Sequence, residues 1–197
     1  MGLVALRCVR YATHGFRSFA APCLYNGAGD NWKSMGTTSD IAQIAQQENA
    51  LVLTRFDEND AWVLGNRLRA MAVERRLGIV MDVRRVGQQL FYAALPGTTA
   101  DHPEWVRRKS NVALRFHRSS YAIGLEMQEK QSNLTERYGL PLIDYACHGG
   151  SVPIRVEGVG VVAVVTVSGL PQRADHELAI EALCGLAGRD YAAVRLP

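Results

Sequence analysis

Three stretches of the chain hold residues whose types and spacing could do chemistry. The first is Tyr145-Ala146-Cys147-His148-Gly149-Gly150-Ser151, just ahead of a strand. A glycine pair there lets the backbone approach a ligand and point amides at an anion, although a sharp entry into the strand would need the same glycines. Cys147 and His148 are neighbours in extended chain, so their side chains point opposite ways and cannot form a nucleophile–base pair with each other. Cys147 therefore reads as a core residue, and His148 needs a partner from elsewhere. The second stretch runs from Arg107-Arg108-Lys109 to Arg115-Phe116-His117-Arg118-Ser119-Ser120-Tyr121. Arg108, Asn111, Arg115 and Arg118 follow one another at steps of three, four and three, which places them in a stripe on a helix. Such a stripe could grip a carboxylate or phosphate. It could equally be a solvated face whose arginines pair with acidic residues of this chain or a neighbouring subunit. The third is Asp175-His176-Glu177, where Asp175 suits a helix cap, Glu177 suits the helix dipole, and His176 is either a ligand or acid–base group or a packing residue. Their shared chemistry gives one expectation: a small-anion pocket with His148, Gly149 and Gly150 at its mouth, Arg108 or Arg118 and Ser120 as opposing donors, and His176 at its edge. The competing arrangement leaves these residues scattered.

The elements that must position them follow from periodicity. After Asp40 the apolar residues Ile41, Ile44 and Ala45 step as in a helix, and Leu51–Thr54 reads as a short strand. Phe56-Asp57 opens a second helix with Ala61, Leu64, Leu68 and Ala72 on one face, ending near Gly78. Ile79–Val83 and Gln89–Leu95 flank a glycine-containing reversal and form a hairpin; Val152–Val156 and Val159–Val167 around Glu157-Gly158 form another. Between them a helix begins near Pro103, with Trp105, Val112 and Phe116 expected inward. The last helix starts after Pro171 and turns Ala179, Ala182, Leu183 and Leu186 inward. Five strand candidates in hairpins, separated by helices, give an α+β domain with an antiparallel sheet. The domain is expected over residues 39–187, with 188–197 as an exposed tail.

Composition limits the partners. The chain has 197 residues, 48% of them apolar, enough for a sizeable core. Its formal charge of +3 arises at the start, where Arg7, Arg10, Arg17 and Lys33 face only Asp30. Met35 onward carries 18 basic and 18 acidic residues. A neutral domain gives no electrostatic case for nucleic acid or an anionic membrane. Residues 1–38 read as an extension outside the domain, arising from a mis-assigned start upstream of Met35 or from a targeting segment; the Gly- and Asn-bearing run Tyr25–Asn31 suits a targeting helix poorly, which favours the former. The longest apolar run, Val159–Val167, falls well short of the roughly 20 residues a membrane helix needs. The four cysteines include no C-x-x-C pair, so reduced thiols and a cytoplasmic setting are expected, with no metal site.

A resemblance adds to this. Gly149-Gly150-Ser151-Val152-Pro153-Ile154, Gly158-Val159-Gly160 and Val167-Ser168-Gly169-Leu170 resemble the strand–turn–strand signature of the HbpS-like family, which includes heme-binding HbpS, GlcG proteins and the C-terminal domain of PduO. Phe56-Asp57-Glu58 with Ala61-Trp62, Leu95-Pro96-Gly97-Thr98-Thr99, Trp105 with Arg107-Arg108-Lys109, the segment Arg115–Tyr121, and Ser168–Gln172 with Asp175–Leu178 are similar to a branch of unassigned reaction labelled heme-degrading domain-containing protein. The resemblance spans about Ser39 to Leu186. It implies a profilin-like sandwich, a homo-oligomer, and a ligand that is heme or a related small anionic compound. A non-enzymatic interaction module and an enzyme acting on a small anionic substrate stand as alternatives. No C-x-x-C-H occurs, which excludes c-type heme attachment.

Overall fold

The computed structural model describes residues 37–197. The readings made for residues 1–36 lie outside them. Six helices and five strands follow in the order α1 (Thr37–Ala50), β1 (Val52–Leu53), α2 (Glu58–Glu74), β2 (Val80–Arg85), β3 (Gln88–Ala94), α3 (His102–Phe116), α4 (Ser120–Glu129), α5 (Leu134–Tyr138), β4 (Ser151–Val156), β5 (Gly160–Ser168) and α6 (Gln172–Ala187). The strands form one sheet in the order β1-β4-β5-β2-β3. Both expected hairpins are present, and β2 pairs antiparallel with β5 to join them. The α+β class with helices on a five-stranded sheet is as expected. One ladder departs from it: β1 runs parallel to β4, with Val52 opposite Arg155 and Leu53 opposite Val156, so the sheet is mixed.

Alternation along the strands sorts the two faces. Ile79, Met81, Val83, Val165 and Val167 meet Leu64 and Leu68 of α2 and Leu178, Ile180 and Leu183 of α6 in the main core. Each fully buried Leu or Ile there contributes about 1.5–3 kcal/mol. α2 is started by Asp57, whose carboxylate accepts from the Asn59 and Asp60 amides while Asp60 caps the Asp57 amide in return. The opposite face carries Asp82 and Thr166, paired across β2 and β5, and α3 lies on it with Ser110 Oγ 2.9 Å from Thr166 Oγ1.

The rotation of α3 differs from expectation. Its buried stripe is Val106, Lys109, Ser110, Val112 and Ala113, which leaves Trp105 and Phe116 only partly covered. The helix stops at Phe116 because His117 turns left-handed (φ 52°), and Ser119 then caps α4 through the Ala122 amide. The C-terminal segment is exposed over most of residues 188–197 but is anchored at two points: Tyr191–Ala193 forms a 3₁₀ turn, Tyr191 Oη donates to Glu177 Oε2 at 2.6 Å, the Leu196 amide donates to the same oxygen at 3.2 Å, and Leu196 is buried against Ile44 and Tyr121.

Candidate functional site

Lys109 sits on the buried face of α3. Its ammonium donates to Asp175 Oδ2 at 2.8 Å and to the Val167 carbonyl at 3.2 Å, and the two side chains of the pair are 4% and 1% exposed. Asp175 is not the cap expected of it. Pro171 holds that position, and Asp175 lies one turn inside α6, where its other oxygen accepts from the Leu170 amide at 3.0 Å. Burial pushes the Lys109 ammonium below its ordinary value, with Asp175 opposing, and pushes the Asp175 carboxyl above its ordinary value, with Lys109 opposing. The two groups thus move toward each other, which lowers the cost of passing a proton between them.

The glycine pair presses the preceding loop onto this ion pair. A Cβ on Gly150 would meet the Val167 carbonyl at 2.2 Å and Lys109 Nζ at 3.0 Å, and its φ of 126° is one that only glycine adopts with ease. A Cβ on Gly149 would lie 2.0 Å from the Gln172 carbonyl. The approach that these glycines permit is to the protein's own backbone, and its effect is to hang His148 over a cleft.

That cleft, of about 270 Å³, is lined by Asp101, His102, Trp105, Lys109, His148 and Gln172, with Asp175 and the Ser168–Leu170 turn. The His148 ring stands edge-on to Trp105, centroids 5.1 Å apart. Trp105 is fixed by its indole N–H donating to Asp101 Oδ2 at 2.7 Å, and the Arg108 guanidinium lies 4.2 Å over its ring. Partial desolvation, then the charges of Lys109 and Arg108, hold His148 below the usual imidazole value, so the ring is neutral at pH 7. Neither ring nitrogen is hydrogen-bonded among the described residues. No cluster of three or more His, Cys, Asp or Glu side chains placed to hold a metal occurs among them.

The structure therefore brings together His148, Gly149, Gly150 and, through Trp105, Arg108. Three other residues expected there are elsewhere. Arg118 follows the end of α3, so the helical stripe breaks before it, and it pairs with Glu126 of α4. Ser120 is fully buried and links α4 to β4: its hydroxyl accepts from the Ser151 amide at 3.0 Å. His176 is also fully buried, beside Tyr121. Gln47 Nε2 donates to Glu177 Oε1 at 2.8 Å, which turns its oxygen toward His176 Nε2, 2.9 Å away. That places the proton on Nε2 and leaves Nδ1 as an unpartnered acceptor. Burial and Arg173 depress this histidine to about 3, so it is a neutral packing residue.

Sequence reasoning missed Lys109 and Asp175 as the floor of the cleft, and Trp105, Asp101, His102 and Gln172 as its walls. A signal for Lys109 was present: it follows Val106 by three and precedes Val112 and Ala113 by three and four, in step with the buried face.

The model of the family described as Haem degrading protein HbpS-like matches residues 56–184. A UPF0303 protein of Acidobacterium capsulatum is 64% identical over 163 residues, covering 83% of this chain and 99% of that protein. Among solved structures, the Ybr137w protein superposes with a TM-score of 0.70 at 28% identity, covering 75% of this chain and 87% of that one. A PduOC–heme complex does so with a TM-score of 0.55 at 13% identity, covering 66% and 93%, a likeness of fold alone.

Proposed function

The chain belongs to the HbpS-like family, and from that premise we propose that it is a ligand-binding protein whose site is the cleft beneath His148, taking heme or a related small anionic compound. One observation carries this reading: a neutral imidazole with free nitrogens stands at the mouth of a cleft whose floor holds a buried ammonium. The donor set fits heme in kind. Neutral histidine is the form that ligates iron, and Arg108 over Trp105 supplies positive charge for a carboxylate, the Lys109 ammonium being paired with Asp175. The size sets the manner of fit, because about 270 Å³ lies just under the roughly 300–1,000 Å³ of sites that enclose a drug-sized ligand. A small anion enters whole, and a macrocycle enters by one edge. Bound at His148, heme would supply a redox-active iron. Trp105, held by Asp101 and capped by Arg108, provides the flat apolar wall, and Gln172 and His102 offer polar contacts at the rim.

Hemin titration tests this reading, with serum albumin as the control for nonspecific uptake. Wild-type protein is expected to shift the Soret band at a saturable stoichiometry, and His148→Ala to lose about tenfold or more in affinity, about 1.4 kcal/mol. Equal titration curves would refute His148 as the ligand.

A second reading, an interaction module presented on a homo-oligomer, is favoured by a separate surface. Trp62 is 62% exposed and Val63 54% exposed on α2, with the Trp62 ring 5.7 Å from that of Phe91 on the edge strand β3. The segment Trp105–Tyr121, first expected to form an interface, is less suited, since Tyr121 is buried and Trp105 walls the cleft. Sedimentation velocity decides between oligomer and monomer: a species heavier than 21.7 kDa that Trp62→Asp dissociates is expected, and a purely monomeric wild type would contradict it. A reducing, cytoplasmic setting is in keeping with the free thiols of Cys147 and Cys184. No described helix is long and apolar enough to cross a membrane.

A further inference from the structure

The chain has only three lysines, Lys33, Lys109 and Lys130, among its 22 basic residues. Among the described residues the one lysine or arginine that is buried is Lys109. For a static buried ion pair arginine is the better choice, because its planar fork stays charged and grips both carboxylate oxygens. Lysine keeps a property that arginine lacks: it can release a proton and become a nucleophilic amine.

The surroundings of Nζ suit that use. Two acceptors, Asp175 Oδ2 and the Val167 carbonyl, hold it, and an ammonium has a third N–H to offer. Gly150 seats the loop backbone close by, since a Cβ there would stand 3.0 Å from Nζ and 2.2 Å from the Val167 carbonyl that Nζ donates to. Both Lys109 and Asp175 line the cleft, with the neutral His148 ring above them.

We propose that Lys109 captures a small carbonyl compound, a 2-oxo acid or an aldehyde, as a protonated Schiff base in this cleft. The proposal rests on the reading of the cleft as the ligand site and gives that site a substrate class. The ammonium first passes a proton to Asp175. The freed lone pair on Nζ then forms a bond to the carbonyl carbon, the C=O π pair moves to oxygen, and that oxygen takes the proton from Asp175. Asp175 next removes a proton from the nitrogen of the carbinolamine and delivers it to the hydroxyl, which leaves as water while the nitrogen lone pair closes the C=N bond. The balance is one ammonium and one carbonyl giving one iminium and one water, with the net charge of the site unchanged. Burial has already moved Lys109 down and Asp175 up, which favours the first transfer. The Asp175 carboxylate faces the iminium cation once it has formed.

The full-length protein is incubated with pyruvate, or separately with propionaldehyde, in the presence of sodium cyanoborohydride, and its peptides are read by mass spectrometry. The expected result is a reduced adduct on the Lys109 peptide in preference to exposed Lys130 by about tenfold for each unit by which the ammonium is lowered. Lys109→Arg loses the adduct, and Asp175→Asn slows trapping by about a hundredfold. Near-UV circular dichroism shows whether each variant is folded; if either is not, the ratio of Lys109 to Lys130 in the wild type decides alone. Preference for pyruvate assigns the site to 2-oxo acids, and preference for propionaldehyde to aldehydes. Labelling of Lys130 as fast as Lys109, or no labelling, overturns the proposal. In that event, saturable binding of pyruvate without reductant, read at the His148 and Trp105 resonances, would leave the cleft as a non-covalent site, whereas no binding of pyruvate or hemin would remove both.

Discussion

Replacing Lys109 by Met should destabilise the protein in a way that depends on pH. The substitution keeps most of the side-chain volume but leaves the Asp175 carboxylate, 1% exposed, without its cation. Breaking a buried pair on one side costs about 3–5 kcal/mol. For a chain of this size each kcal/mol lowers the Tm by about 2–4 °C, so the expected fall is roughly 6–20 °C. The pH dependence follows from the direction of the Asp175 shift. Burial already raises its folded pKa above the ordinary 3.8, and losing Lys109 removes an opposing influence. A carboxyl raised on folding binds more protons in the folded state, so it favours folding at low pH, and this contribution is lost as pH rises from about 3.8 through the raised value. Lys109→Met should therefore cost less at pH 5 than at pH 8. The double variant Lys109→Met, Asp175→Leu should cost less than the two single variants added together, since no charge is left unpaired; what remains is the Leu170 amide without its acceptor, about 1–3 kcal/mol. Urea unfolding of the four proteins at both pH values measures all of this. Equal losses at the two pH values, or strict additivity, would refute the account of the pair.

Three further outcomes follow from residues around the site and away from it. Arg118→Ala removes a partly exposed pair with Glu126 and should change stability by about 0–1 kcal/mol while leaving hemin affinity unaltered; a loss of affinity would return Arg118 to the site. Gly150→Ala must fit a methyl 2.2 Å from the Val167 carbonyl at a φ of 126°, which should cost about 1–3 kcal/mol or more in urea unfolding, and a neutral result would contradict the tight seating of the loop. Leu196→Ala should cost about 2 kcal/mol or more, measured by thermal unfolding, because Leu196 is 6% exposed, whereas an exposed tail would tolerate it freely.

Local chemistry was the legible part of the sequence. Both hairpins, the Ala61–Ala72 face of α2 and the inward face of α6 each depend on periodicity within a single element, and the glycine pair marks a close approach that is to the protein's own backbone rather than to a ligand. What escaped were features joined across long separations. β1 has two residues, too short for alternation to reveal that it pairs in parallel with β4 about a hundred positions later. The left-handed turn at His117 is carried by a residue that adopts it far less readily than glycine, and it ends the helix before Arg118, so a stripe drawn through Arg118 assumes a helix that has stopped. His148 was recognised as a histidine needing a partner. The wall it meets, Trp105, lies 43 positions earlier, and its spacing to Val112 and Phe116 reads as core. Lys109 was hidden among arginines, although its register with Val106 and Val112 put it on the buried face. Its partner Asp175 looked like a cap because Pro171, which holds that position, offers no side-chain acceptor.

The cleft as the ligand site is tested most directly by side-chain NMR of the isotope-labelled protein titrated with pyruvate and with diamagnetic zinc protoporphyrin. The account predicts that the His148 imidazole and the Trp105 indole N–H, held on Asp101, shift together and saturate together while the exposed Trp62 indole stays still. Saturable shifts at Trp62 with His148 and Trp105 unmoved would contradict it and place ligand recognition on the α2 surface instead.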